Sequence, residues 1–429
     1  MTQPHAADTA NDAPSAPLSC FDLAERMSSV DEARRTLLTL VEAPLPSERV
    51  ALQEARGRRL AEQLTAPIDV PQNTNAAMDG IALAWQTDRN HWVPAGQALA
   101  GEPFTARLAP GECVTIATGA PLPDGADTVI MREQLTTRGD QVIVNDPERV
   151  RAGQNVRQAG EDIARGSVAL AAGERLDAAR LGFIASLGIA DVAVYRRPRV
   201  AVFSTGSEVT APGETLPTAG IFDANRFTLT GLARENGAEV IDLGILPDAP
   251  ASIRRALESA AAEADLVLTS GGVSMGQADY TREALAELGQ LAFWRVAMRP
   301  GKPLACGWLG ATRTPFVGLP GNPVAAMVAF LQFVVPLLAR LEDQPLRPPE
   351  RLFARAGEDL SGRTGRCDFI RGVSTSDRNG QLWVHSTGAQ GSGILASMVD
   401  ANCLIELPDT CAAVSPGDTV TIQPLRRDA

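Results

Sequence analysis

Three carboxylates and two cations fall in short stretches rich in glycine and proline. Glu208 closes "STGSE" (204–208), Asp248 follows Pro247, Asp279 closes "SGGVSMGQAD" (270–279), and Arg299 and Lys302 belong to "RPGKP" (299–303). A further stretch, "GLPGNP" (318–323), carries Gly321 and Asn322 and no charge. Glycine-rich turns that enter helices present backbone N–H groups to an anion, and the helix dipole favours it. That dipole contributes only about 0.3–1 kcal/mol, whereas a phosphate beside a close carboxylate meets repulsion on the order of 4 kcal/mol at intermediate dielectric. Holding an anion here therefore calls for a hard divalent cation, most simply Mg²⁺. It would bridge Glu208, Asp248 and Asp279 to phosphate oxygens, with Arg299 and Lys302 sharing the neutralisation. Taken singly, each residue has an ordinary explanation, Asp279 as a helix N-cap and Glu208 and Asp248 as solvated loop acids. Their joint placement is what points to a site. No G-x-x-x-x-G-K-[ST] occurs, which excludes a P-loop nucleotidase.

Gly272-Val273-Ser274-Met275-Gly276 satisfies G-x-S-x-G between a strand and a helix, the setting of a nucleophilic serine. The triad would have to use His385, the single histidine downstream, far along in the C-terminal segment. Ser274 therefore reads better as a hydroxyl donor to phosphate, and a serine hydrolase stands as the alternative. With three histidines, one of them His5 near the start, a histidine-rich metal centre is excluded. Six cysteines without Cys-x-x-Cys read as free thiols. The excess of 51 Asp+Glu over 39 Lys+Arg, net −12, argues against non-specific binding to nucleic acid or anionic membrane. No secretory signal and no membrane-spanning apolar run are read, so a cytoplasmic location is expected.

The elements that must position these residues follow from pattern. A chain of 429 residues implies about three domains. Residues 1–17 read as a disordered tail; Ser29 and Glu32 form a capping box for a helix that stops before Pro44, and a second helix is expected over 54–63. From Pro67 to about Val194, short β-type runs dominate, with a helix at 178–186. From Arg199, strands alternate with helices, which predicts an α/β domain with a mostly parallel sheet covered on both faces. In such a sheet ligands bind beyond the carboxyl ends of the strands. The stretches above are those ends. A long helix is expected over 324–341, and after "DQPLRPPE" the segment 351–429 reads as a small β domain.

"TSGGVSMGQADY", "RPGKP" and "GLPGNPVAA", joined to "NAAMDGIAL" (75–83), "ATGAPLPDGADTVI" (117–130) and "GQNVRQAGEDI" (153–163), resemble the molybdopterin molybdenumtransferases, the MoeA and gephyrin E-domain family. The α/β segment alone also resembles molybdopterin adenylyltransferases; the MDG and TGAP segments settle the choice. The resemblance implies insertion of molybdate into adenylylated molybdopterin, with cleavage of the adenylate to molybdenum cofactor and AMP. It implies an elongated helix-and-strand domain (18–66 and 151–195), an inserted β domain (67–150), the α/β domain (196–345) and a C-terminal β barrel (346–429). It also implies a homodimer with its cleft at the subunit interface, and possible contact with molybdopterin adenylyltransferase and recipient molybdoenzymes. By position, Asp79, Asp162, Glu208, Asp248 and Asp279 match catalytic residues, the last three also as metal ligands. Thr118, Thr205, Gly271, Gly272, Ser274, Arg295, Arg299, Lys302, Gly321, Asn322, Arg371 and Ser392 match substrate-binding positions. Arg295 and Arg299 stand where the family pattern has lysine, Ile81 where it has an aromatic, and Ala325 where it has serine. Kinship with gephyrin adds a scaffold as another alternative.

Overall fold

The structure is a computed structural model in which residues 27–247, 249–271 and 287–425 are described. Asp248, Gly272, Ser274 and Asp279 lie outside the described residues, as does most of the helix expected after Asp279. The chain divides into two compact units. One holds the described residues up to Pro46 with those from Arg196 onward, and the other is Ser47–Tyr195.

The first unit is built on a seven-stranded sheet. Its strands are β1 (Met27–Ser28), β2 (Arg199–Thr205), β3 (Glu239–Leu246), β4 (Leu266–Ser270), β5 (Gly289–Val296), β6 (Pro303–Leu309) and β7 (Thr314–Leu319), in the order β1-β5-β6-β7-β4-β2-β3. Four pairings are parallel, β1–β5, β7–β4, β4–β2 and β2–β3. β6 runs antiparallel to both neighbours. The links flanking β6, Ala297–Lys302 and Gly310–Arg313, are too short for the dozen or so residues a crossover needs, so the chain can only fold back.

α1 (Val30–Leu38), α2 (Asn225–Glu235) and α4 (Pro323–Leu341) share one core with Val200, Val202, Leu268 and Leu319. α3 (Pro250–Glu263) packs on the opposite face against Ala201, Phe203, Val267 and Phe316. The alternation of neighbouring β2 residues between the two faces makes a three-layer body. Ser29 caps α1 as expected: its Oγ accepts from Glu32 N at 3.2 Å.

α4 contains a π-helical turn, Phe330–Val334. Buried Arg34 donates from Nε to the Gln332 carbonyl at 3.0 Å and from Nη2 to Gln332 Oε1 at 2.8 Å, satisfying polar groups in an otherwise apolar layer. With a mean hydropathy of 2.1, α4 is long and apolar enough to cross a membrane, contrary to the reading of the sequence. Its apolar side chains, among them Val324, Val328, Phe330, Phe333 and Leu337, are instead the core of this body.

The C-terminal segment closes into a five-stranded barrel. Cys367–Ser376 pairs with Leu382–Ser386, and the ladder continues through Leu352–Ala356, Thr419–Pro424 and Cys403–Leu407 back to Cys367–Ser376. A seam joins barrel to sheet where Met298–Arg299 runs parallel to Cys367–Asp368. The described cysteines are free, and burial pushes the Cys367 thiol up to about 12, which leaves it inert.

The second unit holds a six-stranded sheet with Gly80–Leu83 between Glu112–Ile116 and Thr128–Met131. Short ribbons extend from it, pairing Ser47–Ala51 with Asp191–Tyr195, Leu64–Thr65 with Val168–Leu170, and Asn75–Ala76 with Val156–Arg157. The helix expected over 54–63 does not form. A single 3₁₀ turn, Leu52–Glu54, is followed by Gly57 at φ +75°, and Leu60 then bridges to Val194. Glycine interrupts the helix, and burial of Leu60 in the β core outweighs local propensity.

Candidate active site

Register fixes the rim of the sheet. Ser204 stands opposite Ser270, and Ser270 opposite Leu319, so β2, β4 and β7 end at one level. Because β6 is reversed, its start at Pro303 lies opposite Arg295 near the end of β5, which brings the "RPGKP" turn to the same edge. The turns then touch. A Cβ on Gly271 (φ +86°) would lie 3.7 Å from the Thr205 carbonyl oxygen, and one on Gly321 would lie 3.7 Å from Gly271 Cα. A Cβ on Gly206 would lie 2.7 Å from Glu208 Oε2, so this exposed carboxylate folds back over its own turn. A Cβ on Gly301 would lie 3.5 Å from the Ala325 carbonyl oxygen, which sets the "RPGKP" turn against the first turn of α4.

The barrel adds a cation to this edge. Arg371 is 1% exposed, inside the strand Cys367–Ser376. Its Nε donates to Ser397 Oγ at 3.0 Å and its Nη2 to the Gly391 carbonyl at 3.1 Å. The next residue of that loop, Ser392, accepts on its carbonyl from Val324 N at 3.1 Å, so the loop sits on the N-terminus of α4, two residues beyond Asn322. Among the described residues no carboxylate pairs with Arg371. Burial, and to a lesser degree Arg299, holds its pKa below the ordinary arginine value.

Arg299 is in the opposite situation. Its Nη2 donates to Asp368 Oδ2 at 2.9 Å, with Nε 2.7 Å from Oδ1, and Asp368 is itself buried. Arg299, expected to share in neutralising an anionic ligand, thus has a carboxylate partner of its own in Asp368. Its planar fork is spent on the seam between barrel and sheet. Lys302 is half-buried and has no ion-pair partner among the described residues. Arg295 is exposed on β5, opposite Pro303 at the start of β6.

Asp79 and Thr118 come together in the second unit. Asp79 Oδ1 accepts from Thr118 N and from Thr118 Oγ1, both at 2.7 Å, and these bonds hold its pKa below the ordinary value. The sequence allows Asp79-Gly80 to be a hairpin turn; in the structure Gly80 is buried and opens the strand Gly80–Leu83. A Cβ there would lie 1.8 Å from the Ile130 carbonyl oxygen, which demands glycine. Asp162 lies in the same unit, its N–H donating to Val70 O at 2.9 Å, and no hydrogen bond joins it to the Asp79–Thr118 pair among the described residues.

Of the proposed metal ligands only Glu208 is described. It is exposed and without an ion pair among the described residues, a state that suits an oxygen ligand for a hard cation. No group of three metal-ligating side chains occurs among the described residues. Sequence reasoning missed Asp223, Asn225 and Ser270, which hydrogen-bond beneath the turns. The polar segment "FDANR" (222–226), which leads into the first turn of α2, was the available signal.

Three family models match the chain: "MoeA N-terminal region (domain I and II)" over residues 28–188, "Probable molybdopterin binding domain" over 201–340 and "MoeA C-terminal region (domain IV)" over 354–425. A molybdopterin molybdenumtransferase of Haemophilus influenzae is 43% identical over 93% of this chain and 98% of its own length. One of Nostoc sp. is 34% identical over 92% and 93%. The solved molybdopterin biosynthesis MoeA protein of Pyrococcus horikoshii matches with a TM-score of 0.79 at 29% identity, covering 93% of this chain and 100% of that one. With the same order of regions, and with MDG, TGAP and the rim turns in register with the folded elements, the chain belongs to the MoeA family of molybdopterin molybdenumtransferases.

Proposed function

We propose that the protein inserts molybdate into adenylylated molybdopterin and cleaves the adenylate, releasing AMP and molybdenum cofactor. The observation that carries this reading is Arg371, a buried guanidinium without a carboxylate among the described residues, beside the Ser392 loop and the N-terminus of α4. A buried cation of this kind is costly unless an anion joins it. Molybdate, a compact dianion, supplies that partner, with Lys302 as a second positive charge. The glycine turns at Thr205, Gly271 and Gly321 offer backbone donors to the phosphate groups. An oxygen nucleophile then adds to the adenylyl phosphorus, and the bridging oxygen leaves with the molybdopterin phosphate. Glu208, Asp248 and Asp279 are the residues proposed to hold Mg²⁺, which supplies neutralising charge at the pyrophosphate when bound. Asp79, fixed as an anion by Thr118, and Asp162 are proposed to serve the same reaction.

The homodimer with its cleft at the subunit interface, the four-domain partition, the cytoplasmic location and contact with adenylyltransferase or recipient enzymes are proposed with it, on the family resemblance. A serine hydrolase gains no support. The only downstream histidine, His385, packs on the barrel against Gly357, where a Cβ would lie 2.1 Å from its Nε2. No observation favours a scaffold role.

The test is incubation of the full chain with adenylyl-molybdopterin, Mg²⁺ and molybdate, scoring AMP and active cofactor. Molybdate-stimulated AMP release is expected. AMP release indifferent to molybdate, or covalent capture of Ser274 by an organophosphonate, would refute the reading.

A further inference from the structure

The segment Asp223–Arg226 ties four strands together beneath the rim. Asp223, 3% exposed, accepts from Ser204 Oγ on β2 at 2.9 Å and from Arg226 N and Nε at 3.1 and 2.8 Å. Arg226 Nη1 donates to Asp242 Oδ2 on β3 at 2.5 Å. Asn225 Nδ2 donates to Ser270 Oγ at the end of β4 at 2.6 Å and to the Gly321 carbonyl beyond β7 at 2.7 Å. Ser270 Oγ donates onward to the Pro320 carbonyl at 3.1 Å.

The polarity of this arrangement is fixed. The Gly321 carbonyl can only accept, and Ser270 has committed its single proton to Pro320. Asn225 must therefore present N–H to both. One neutral amide thereby spans the Gly271 and Gly321 turns, whose separation decides whether their backbone donors reach the same anion. We propose that Asn225 is a positioning residue for the reaction: its double donation sets the gap between these two turns. The inference rests on the reading that a phosphate-bearing substrate occupies them.

Asn225→Asp keeps the size of the side chain but sets an anionic acceptor against the Gly321 carbonyl; Asn225→Ala removes both donations without adding charge. In both variants amide exchange over residues 318–322 is expected to accelerate about tenfold, the scale of one lost hydrogen bond, while Val200–Phe203 exchanges as before. The kcat of AMP release should fall about 100-fold with KM little changed, the cost of a displaced reacting group. Adding Ser270→Ala to Asn225→Ala should lower kcat no further if the two residues act through one contact. Unchanged exchange at 318–322 in both Asn225 variants overturns the proposal. So does a fall in kcat without faster exchange, which would place Asn225 on the substrate itself. If the wild-type chain releases no AMP, the reaction is wrong while the exchange comparison still decides whether the clasp exists.

Discussion

The barrel strand Cys367–Ser376 and the seam beside it each hold an arginine that the family resemblance marks as substrate-binding, and the fold treats them oppositely. Arg371 is almost fully buried, and among the described residues its guanidinium meets a hydroxyl and a carbonyl but no carboxylate. Arg299 keeps a side chain 39% exposed, yet its fork is closed on Asp368, which is 2% exposed at its side chain. Among the described residues the buried charge lacks a carboxylate, and the more accessible charge has one. Availability for a ligand therefore follows from pairing rather than exposure. The comparison also accounts for an arginine where the family pattern has lysine. The guanidinium donates from Nη2 to one Asp368 oxygen and keeps Nε 2.7 Å from the other, whereas an ammonium is a point charge.

The largest expected effect falls on the barrel strand. Arg371→Gln should lower molybdate-dependent AMP release about 10²–10³-fold, the scale of one lost oxyanion donor, while thermal unfolding shows no loss of stability because a buried charge without a carboxylate among the described residues has gone. Arg299→Met should do the reverse. Denaturant unfolding should show a loss of about 2–3 kcal/mol from stranding Asp368, most of it recovered when Asp368→Leu is added.

A subtler effect concerns the second unit. Thr118→Val removes the hydroxyl bond that holds the Asp79 carboxyl below its ordinary pKa. A depressed carboxyl contributes stability above its unfolded pKa and loses that contribution as pH falls through its folded value. The acid limb of the pH profile of AMP release should therefore move to higher pH in this variant. The smallest effect is expected from Gly321→Ala. Among the described residues the added methyl meets Gly271 Cα alone, at an ordinary 3.7 Å, so thermal unfolding should change by less than about 0.5 kcal/mol.

The convergence of the rim was legible because strand polarity and crossover rules act on pattern alone. β6 even preserved it: the short "RPGKP" turn forces a hairpin, yet the end of β5 still faces the same edge. Ser29 and Glu32 marked the start of α1 because capping is local. The helix expected over 54–63 failed because Gly57 and the burial of Leu60 are decided by tertiary context. The apolar length of α4 was underestimated because Gln332 and Arg340 interrupt a run that the fold buries all the same. The opposite fates of Arg299 and Arg371 depend on Asp368 and on the 388–394 loop, and Asn225 acts across 45 and 96 residues of sequence. No local pattern carries contacts of that range.

Calorimetric titration of the full chain with molybdate, wild type against Arg371→Gln, bears most directly on the role of the buried guanidinium. Saturable heat in the wild type that vanishes in the variant, with both proteins melting at the same temperature, is the expected result. Equal heats in the two proteins would contradict it and place the oxyanion elsewhere.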